Sequence, residues 1–87
     1  MTGECPLCGS WGSLENHHIF GGAYRKKSDK YGLTIGLCHC CHNEPPFGVH
    51  HNAGEMLRLK QYGQRKAMAE LQWDTERFIK EFGKNYL

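Results

Sequence analysis

Eighty-seven residues make one small domain, too short to bury a large apolar core, so a metal, a disulfide or a partner commonly has to help. The formal charge of +2 is too small to argue for a nucleic-acid partner, and no apolar run approaches the ~18 residues of a membrane-spanning helix. All five cysteines and all six histidines lie in residues 1–51, which points to metal as the stabilising element.

The first ten residues, "MTGECPLCGS", have no basic stretch followed by an apolar one, so no secretory signal is expected. The expected compartment is a reducing cytosol, where cysteine pairs more often hold metal than cross-link. "CPLCGSWGSL" then reads as a knuckle. Pro6 lies between Cys5 and Cys8, and Gly9 follows, which suits a tight turn whose N–H groups point at sulfur. "LENHHIF" is a short strand candidate, ended by Gly21 and Gly22. "AYRKKSDKYG" reads as a polar basic loop with room for one helical turn near Ser28–Tyr31. "LTIGLC" is a second strand candidate, and "CHCCHNE" has room for one helical turn before Pro45-Pro46 stops it.

Residues 53–87 contain neither cysteine nor histidine and read as a helical support. Asn52 with Glu55 predicts an N-cap and its partner. Met56, Leu57, Leu59, Tyr62, Met68 and Leu71 recur at roughly helical spacing and are expected to face a core, with Gly63 weakening the middle. Thr75 is expected to cap a last helix with Phe78, Ile79 and Phe82 inward and Gly83 at its C-terminal end.

Four of the cysteines follow the pattern C-x2-C-x29-C-x2-C: Cys5, Cys8, Cys38 and Cys41. Each pair presents two sulfurs on one side of a turn, and two such turns close a tetrahedral zinc site. Cys40 could replace Cys38 or Cys41; the repeated spacing favours Cys38 and Cys41. Cys38-x-x-Cys41-His42 also fits a c-type haem attachment, but no export signal accompanies it, and a thioredoxin-like role lacks its βαβ context. With thiolate ligands bound to one dication, the formal +2 falls to zero, so any case for DNA rests on local charge.

His17, His18, His42 and His50 flank this site without being needed by it. A strand bearing His-His, a return strand, C-x-x-C-H and a following helix together suggest a ββα-metal arrangement. The ordered motifs "HHIFGG", "RKKSDKYG", "LCHCCHN" and "GVHHN" resemble those of the HNH endonuclease family, closest to its small phage and prophage members. The resemblance spans residues 5–52, and the terminal "FGKNYL" is similar as well.

This resemblance implies that His18 is the general base that deprotonates the attacking water. It implies that His17 and His42 bind a catalytic divalent metal (Mg2+, Mn2+, Ni2+ or Zn2+), with His50 as a further metal ligand or a phosphate contact. His39 and His51 are given no role. The implied products carry a 5′-phosphate and a 3′-hydroxyl.

Two departures matter. Leu33 stands where HNH members commonly place the Asn that orients the base, so Thr34 or a backbone carbonyl is left to do it. Adjacent residues on a regular strand also point to opposite faces, so His17 and His18 share a site only if the strand is irregular, which Gly21-Gly22 would permit. Arg25, Lys26, Lys27 and Lys30 follow the glycines and are candidates for phosphate contacts.

The expected fold is α+β: a zinc-stapled ββα-metal core over residues 1–52, then two C-terminal helices over 53–87, in one HNH-type domain. The expected function is metal-dependent hydrolysis of DNA phosphodiesters in the cytoplasm of a bacterial host, phage- or prophage-encoded. A homodimer or a phage protein is the further partner expected. The alternative is a non-catalytic zinc module that binds DNA or acts as a phage adaptor.

Overall fold

The computed structural model describes residues 1–45 and 48–87. It is an α+β structure of two two-stranded antiparallel sheets and four α-helices. Strands β1 (Thr2–Glu4) and β2 (Trp11–Ser13) pair with Gly3 opposite Gly12. These strands were not legible as such; they are three residues each and serve to close the Cys5–Gly9 turn. Within it, Gly9 N donates to Cys5 O at 2.8 Å and Cys5 N donates to Ser10 O at 2.8 Å. Gly9 takes φ +78°, a left-handed conformation that glycine adopts without a Cβ clash.

Strand β3 (Glu15–His18) pairs with β4 (Thr34–Leu37), with His17 opposite Ile35 and His18 opposite Thr34. Both expected strands are present but shorter, because the ladder ends at His18 and the chain turns away at Ile19–Gly22. The segment expected as a loop holds a 3-10 turn at Gly22–Tyr24 and a full helix, α1 (Arg25–Lys30). Buried Ser28 explains the helix. Its hydroxyl accepts from Phe20 N (3.1 Å) and donates to Phe20 O (2.7 Å), fastening α1 to the chain after β3. Helix α2 (His39–Asn43) begins at Cys38 and stops ahead of Pro45, while Pro46 lies outside the described residues.

Helix α3 (Ala53–Glu70) starts as expected, with the Asn52 side chain accepting from Glu55 N at 3.1 Å. The face it buries includes only half of the apolar stripe. Leu59 is buried and Met56 and Met68 are half-buried against the core, but Leu57, Tyr62 and Leu71 are exposed, and Gly63, Gln64 and Ala67 are buried in their stead. The reason is close approach. A Cβ on Gly63 would stand 2.6 Å from Ile19 Cγ2 and 3.0 Å from Phe20 Cε2. The glycine that weakens the helix by ~1 kcal/mol as an isolated unit is what lets it lie against Ile19 and Phe20.

Helix α4 (Thr75–Phe82) is capped by Asp74, not Thr75: the Asp74 carboxylate accepts from Arg77 N at 2.8 Å. Phe78 and Phe82 are buried, but Ile79 is exposed, because only the 78/82 ridge meets the core. Gly83 ends the helix at φ +78°.

Two apolar clusters result. One joins Ile19, Phe20, Leu33, Ala67, Phe78 and Phe82; the other joins Cys5, Leu37, Val49 and Leu59, and Ile35 packs against both. Buried Gln64 fixes the C-terminal segment to α3: its amide donates to Asn85 Oδ1 and its oxygen accepts from Tyr86 N, each at 2.7 Å. None of the helices is long and apolar enough to cross a membrane, among the described residues.

Candidate active site and metal centres

The two cysteine turns meet where the β1–β2 hairpin faces the start of α2. The sulfurs of Cys5, Cys8, Cys38 and Cys41 all lie within 4.8 Å of one another, and Cys8 and Cys38 are 3.6 Å apart. That separation is far beyond an S–S bond of about 2.0 Å. It matches the edge of about 3.8 Å that tetrahedral Zn–S bonds of ~2.3 Å produce. Cys40 is exposed and outside the group.

Four thiols this close cannot all ionise without a cation between them. The hydroxyl and backbone of Ser10 draw Cys8 down to about 6, whereas burial and the neighbouring sulfurs push the Cys41 thiol up. The cluster therefore fits a structural metal such as zinc, which is bound by the deprotonated form.

A second group forms on the other side of α2. Consecutive residues on this short helix serve different clusters: Cys41 faces the sulfurs, and His42 faces His17 and His50. One ring nitrogen from each of these three histidines lies within 4.8 Å of the others, and His42 Nε2 and His50 Nε2 are 3.0 Å apart. His17 is 2 % exposed, and its Nε2 is buried with no hydrogen-bond partner among the described residues. A buried, unpaired imidazole nitrogen is costly unless it serves a ligand. Burial, then the charges of His42 and His50, hold His17 down at about 4. Burial and His42 likewise lower His50. His17 is thus neutral near pH 7, the form that binds metal.

Glu15 fixes the third histidine. It lies two residues before His17, and its carboxylate accepts from His42 Nδ1 at 2.9 Å, leaving His42 Nε2 for the shared centre. Hydrogen bonds from His42 and His39 hold the Glu15 carboxyl below its ordinary range. A carboxylate behind a ligating histidine sets its tautomer and orientation. Glu15→Gln is therefore expected to weaken divalent-metal binding by roughly 10–100-fold, read by calorimetric titration of zinc-loaded protein. Unchanged affinity would show that Glu15 does not support the centre. His39, which received no role from the sequence, bridges Glu15 and Glu44 at 3.2 Å each. His51 is exposed and outside the cluster.

His17 and His18 both line one cavity of about 270 Å3, together with His50, Gly21, Gly22 and Lys60. The strand ends at His18, and Gly22, at φ +57°, turns the chain back over the same space. His18 Nε2 is 2.8 Å from Asp29 Oδ1 on α1. A larger groove of about 720 Å3, lined by Leu7, Leu59 and Tyr62 among others, lies on the side of the cysteine cluster and contains no histidine.

Of the four cations assigned to phosphate, none lines this cavity. Arg25 and Lys26 are exposed at the start of α1. Lys27 donates to Glu81 O at 2.8 Å, and the Lys30 ammonium lies 5.2 Å from the Tyr31 ring centre. Lys60, on α3, is the cationic side chain found in the cavity wall. Glu15, Asp29 and Lys60 were not singled out from the sequence. Glu15 carried a signal, since it shares a strand face with His17 at a period of two; the other two carried none.

No family model, curated protein or solved structure matches the chain.

Proposed function

We propose that this protein is a metal-dependent endonuclease of the HNH type, with β3, β4 and α2 as its ββα-metal unit and DNA as its substrate. The observation that carries this reading is the convergence of His17, His42 and His50 around a buried, unpaired nitrogen, in a cavity that His18 also lines. That arrangement supplies separate groups for metal binding and for proton transfer.

A phosphodiester is anionic and repels a nucleophilic oxygen. A divalent cation held by the three histidines would neutralise the phosphate and stabilise charge on the leaving oxygen. His18 takes a proton from the attacking water as the new P–O bond forms. The P–O3′ bond breaks, and the leaving oxygen acquires a proton from solvent. The products are a 5′-phosphate and a 3′-hydroxyl. Lys60 supplies a positive charge in the cavity wall for the phosphate, and the exposed cations of α1 extend that field. The chemistry of the sulfur cluster is separate: Cys5, Cys8, Cys38 and Cys41 would complete the coordination of one structural metal and leave no open position.

The test is relaxation of supercoiled plasmid by zinc-loaded protein with Mg2+, Mn2+, Ni2+ or Zn2+ added in turn. Nicking that depends on the added cation is expected. Wild-type protein that never nicks with any of the four would favour a non-catalytic zinc module.

A further inference from the structure

The position at which HNH proteins commonly carry an orienting Asn is Leu33, whose side chain and backbone are engaged with groups other than His18. Leu33 is 1 % exposed in the Ile19–Phe20 cluster. Its N–H donates to Ser28 O at 2.8 Å, and its carbonyl accepts from Ile19 N at 3.1 Å. Thr34 stands opposite His18 in the ladder and makes no side-chain hydrogen bond to it among the described residues.

The group that does reach His18 comes from α1. Asp29 Oδ1 lies 2.8 Å from His18 Nε2. An ionised carboxylate only accepts, so the nitrogen facing it carries the proton, and Nδ1 is left with the lone pair. The preceding residue makes this geometry firm. Ser28 is fully buried and bonds both the N–H and the carbonyl of Phe20, two residues beyond His18. The Ser28–Asp29 pair therefore grips the chain and the imidazole together.

We infer that Asp29 is the positioning residue of His18, holding the ring as its Nε2–H tautomer so that Nδ1 is the nitrogen that accepts the proton. The role assigned to Nδ1 rests on the reading of His18 as general base; the tautomer itself does not. The Asp29 side chain is 60 % exposed, and polar contacts made by exposed carboxylates contribute little to stability. Its removal should therefore show in the His18 ring and in turnover, not in Tm.

The experiment is long-range 1H–15N correlation of the histidine rings in zinc-loaded wild type, Asp29→Ala and Asp29→Asn, with steady-state cleavage of a duplex oligonucleotide. Wild-type His18 should give the Nε2–H tautomer alone, and Asp29→Ala a mixture. With alanine kcat should fall by roughly 10–100-fold, with KM, divalent-metal affinity and Tm unchanged. Asp29→Asn is nearly isosteric and covers the case in which alanine disturbs α1; its amide oxygen still accepts but carries no charge, so it should fall between the two. An unchanged His18 spectrum, or unchanged kcat, in both variants would overturn the inference. A wild-type protein that shows the single tautomer but no cleavage would defeat the nuclease reading and leave the Asp29–His18 arrangement standing.

Discussion

In the proposed nuclease reaction, replacing His18 with alanine is expected to lower the rate of DNA cleavage by roughly 10²–10⁴-fold, the usual contribution of a positioned general base. The same variant should fold, keep its zinc and bind a second divalent cation as the wild type does. The separation follows from geometry. His17 faces His42 and His50, while His18 bonds Asp29 and belongs to neither metal-ligand group. His18 is also not one of the residues that form the two apolar clusters, so its loss opens no core cavity. Cleavage by His18→Ala at the wild-type rate would remove it as the base. Loss of metal together with activity would instead make it a ligand.

The second large effect concerns the cysteines. Cys38→Ser should abolish zinc binding and unfold the domain, read by elemental analysis and circular dichroism. Zinc contributes on the order of 10 kcal/mol to the folding of small zinc domains, as much as the ~5–15 kcal/mol by which a typical domain is stable at all. Here the metal would tie the β1–β2 hairpin to α2, two elements otherwise linked through a small cluster of Cys5, Leu37, Val49 and Leu59. The damage should reach the histidines, because His42 directly follows Cys41 on a helix of five residues. Activity should fall with zinc content. A soluble, folded, zinc-free Cys38→Ser protein would show that the four sulfurs are not the staple.

How far the sequence could be read depended on what kind of signal each element carried. The C-x-x-C spacing is local and chemical, and the sulfurs it named do come within reach of one metal. β4 was visible through Thr34, Ile35 and Leu37, whereas β3 has only polar residues and was bracketed by Leu14 and Ile19-Phe20. β1 and β2 were not visible, since "TGE" and "WGS" each have a glycine where a strand former would stand. Helix α1 looked like a loop because "RKKSDK" has no apolar period; its stability comes from Ser28 reaching Phe20, eight positions earlier, a polar contact that no periodicity signals.

The buried face of α3 was half legible. Apolar spacing selected Met56, Leu59 and Met68, which pack inward, but also Leu57, Tyr62 and Leu71, which stay outside because the helix comes in so close that Gly63 and Ala67 make the contact. At the histidines the resemblance implied His17 and His42 as metal ligands and His50 as a ligand or a phosphate contact, and the structure brings those three together. What stands behind them was harder to read. Glu15 shares the strand face of His17 but meets His42 across 27 positions in the chain, and Asp29 meets His18 across 11, from a helix of which only one turn near Ser28–Tyr31 was expected.

Two metal centres with different tasks are proposed for this chain, one closed by sulfur and one built from His17, His42 and His50. Metal stoichiometry separates them: zinc-loaded wild type and His17→Ala are each titrated with Mn2+ and their bound metals counted. Two metals per wild-type chain are expected, the second exchangeable, and one per chain of His17→Ala. A single metal on the wild type at saturating Mn2+, unchanged by His17→Ala, would show that the three histidines hold no metal.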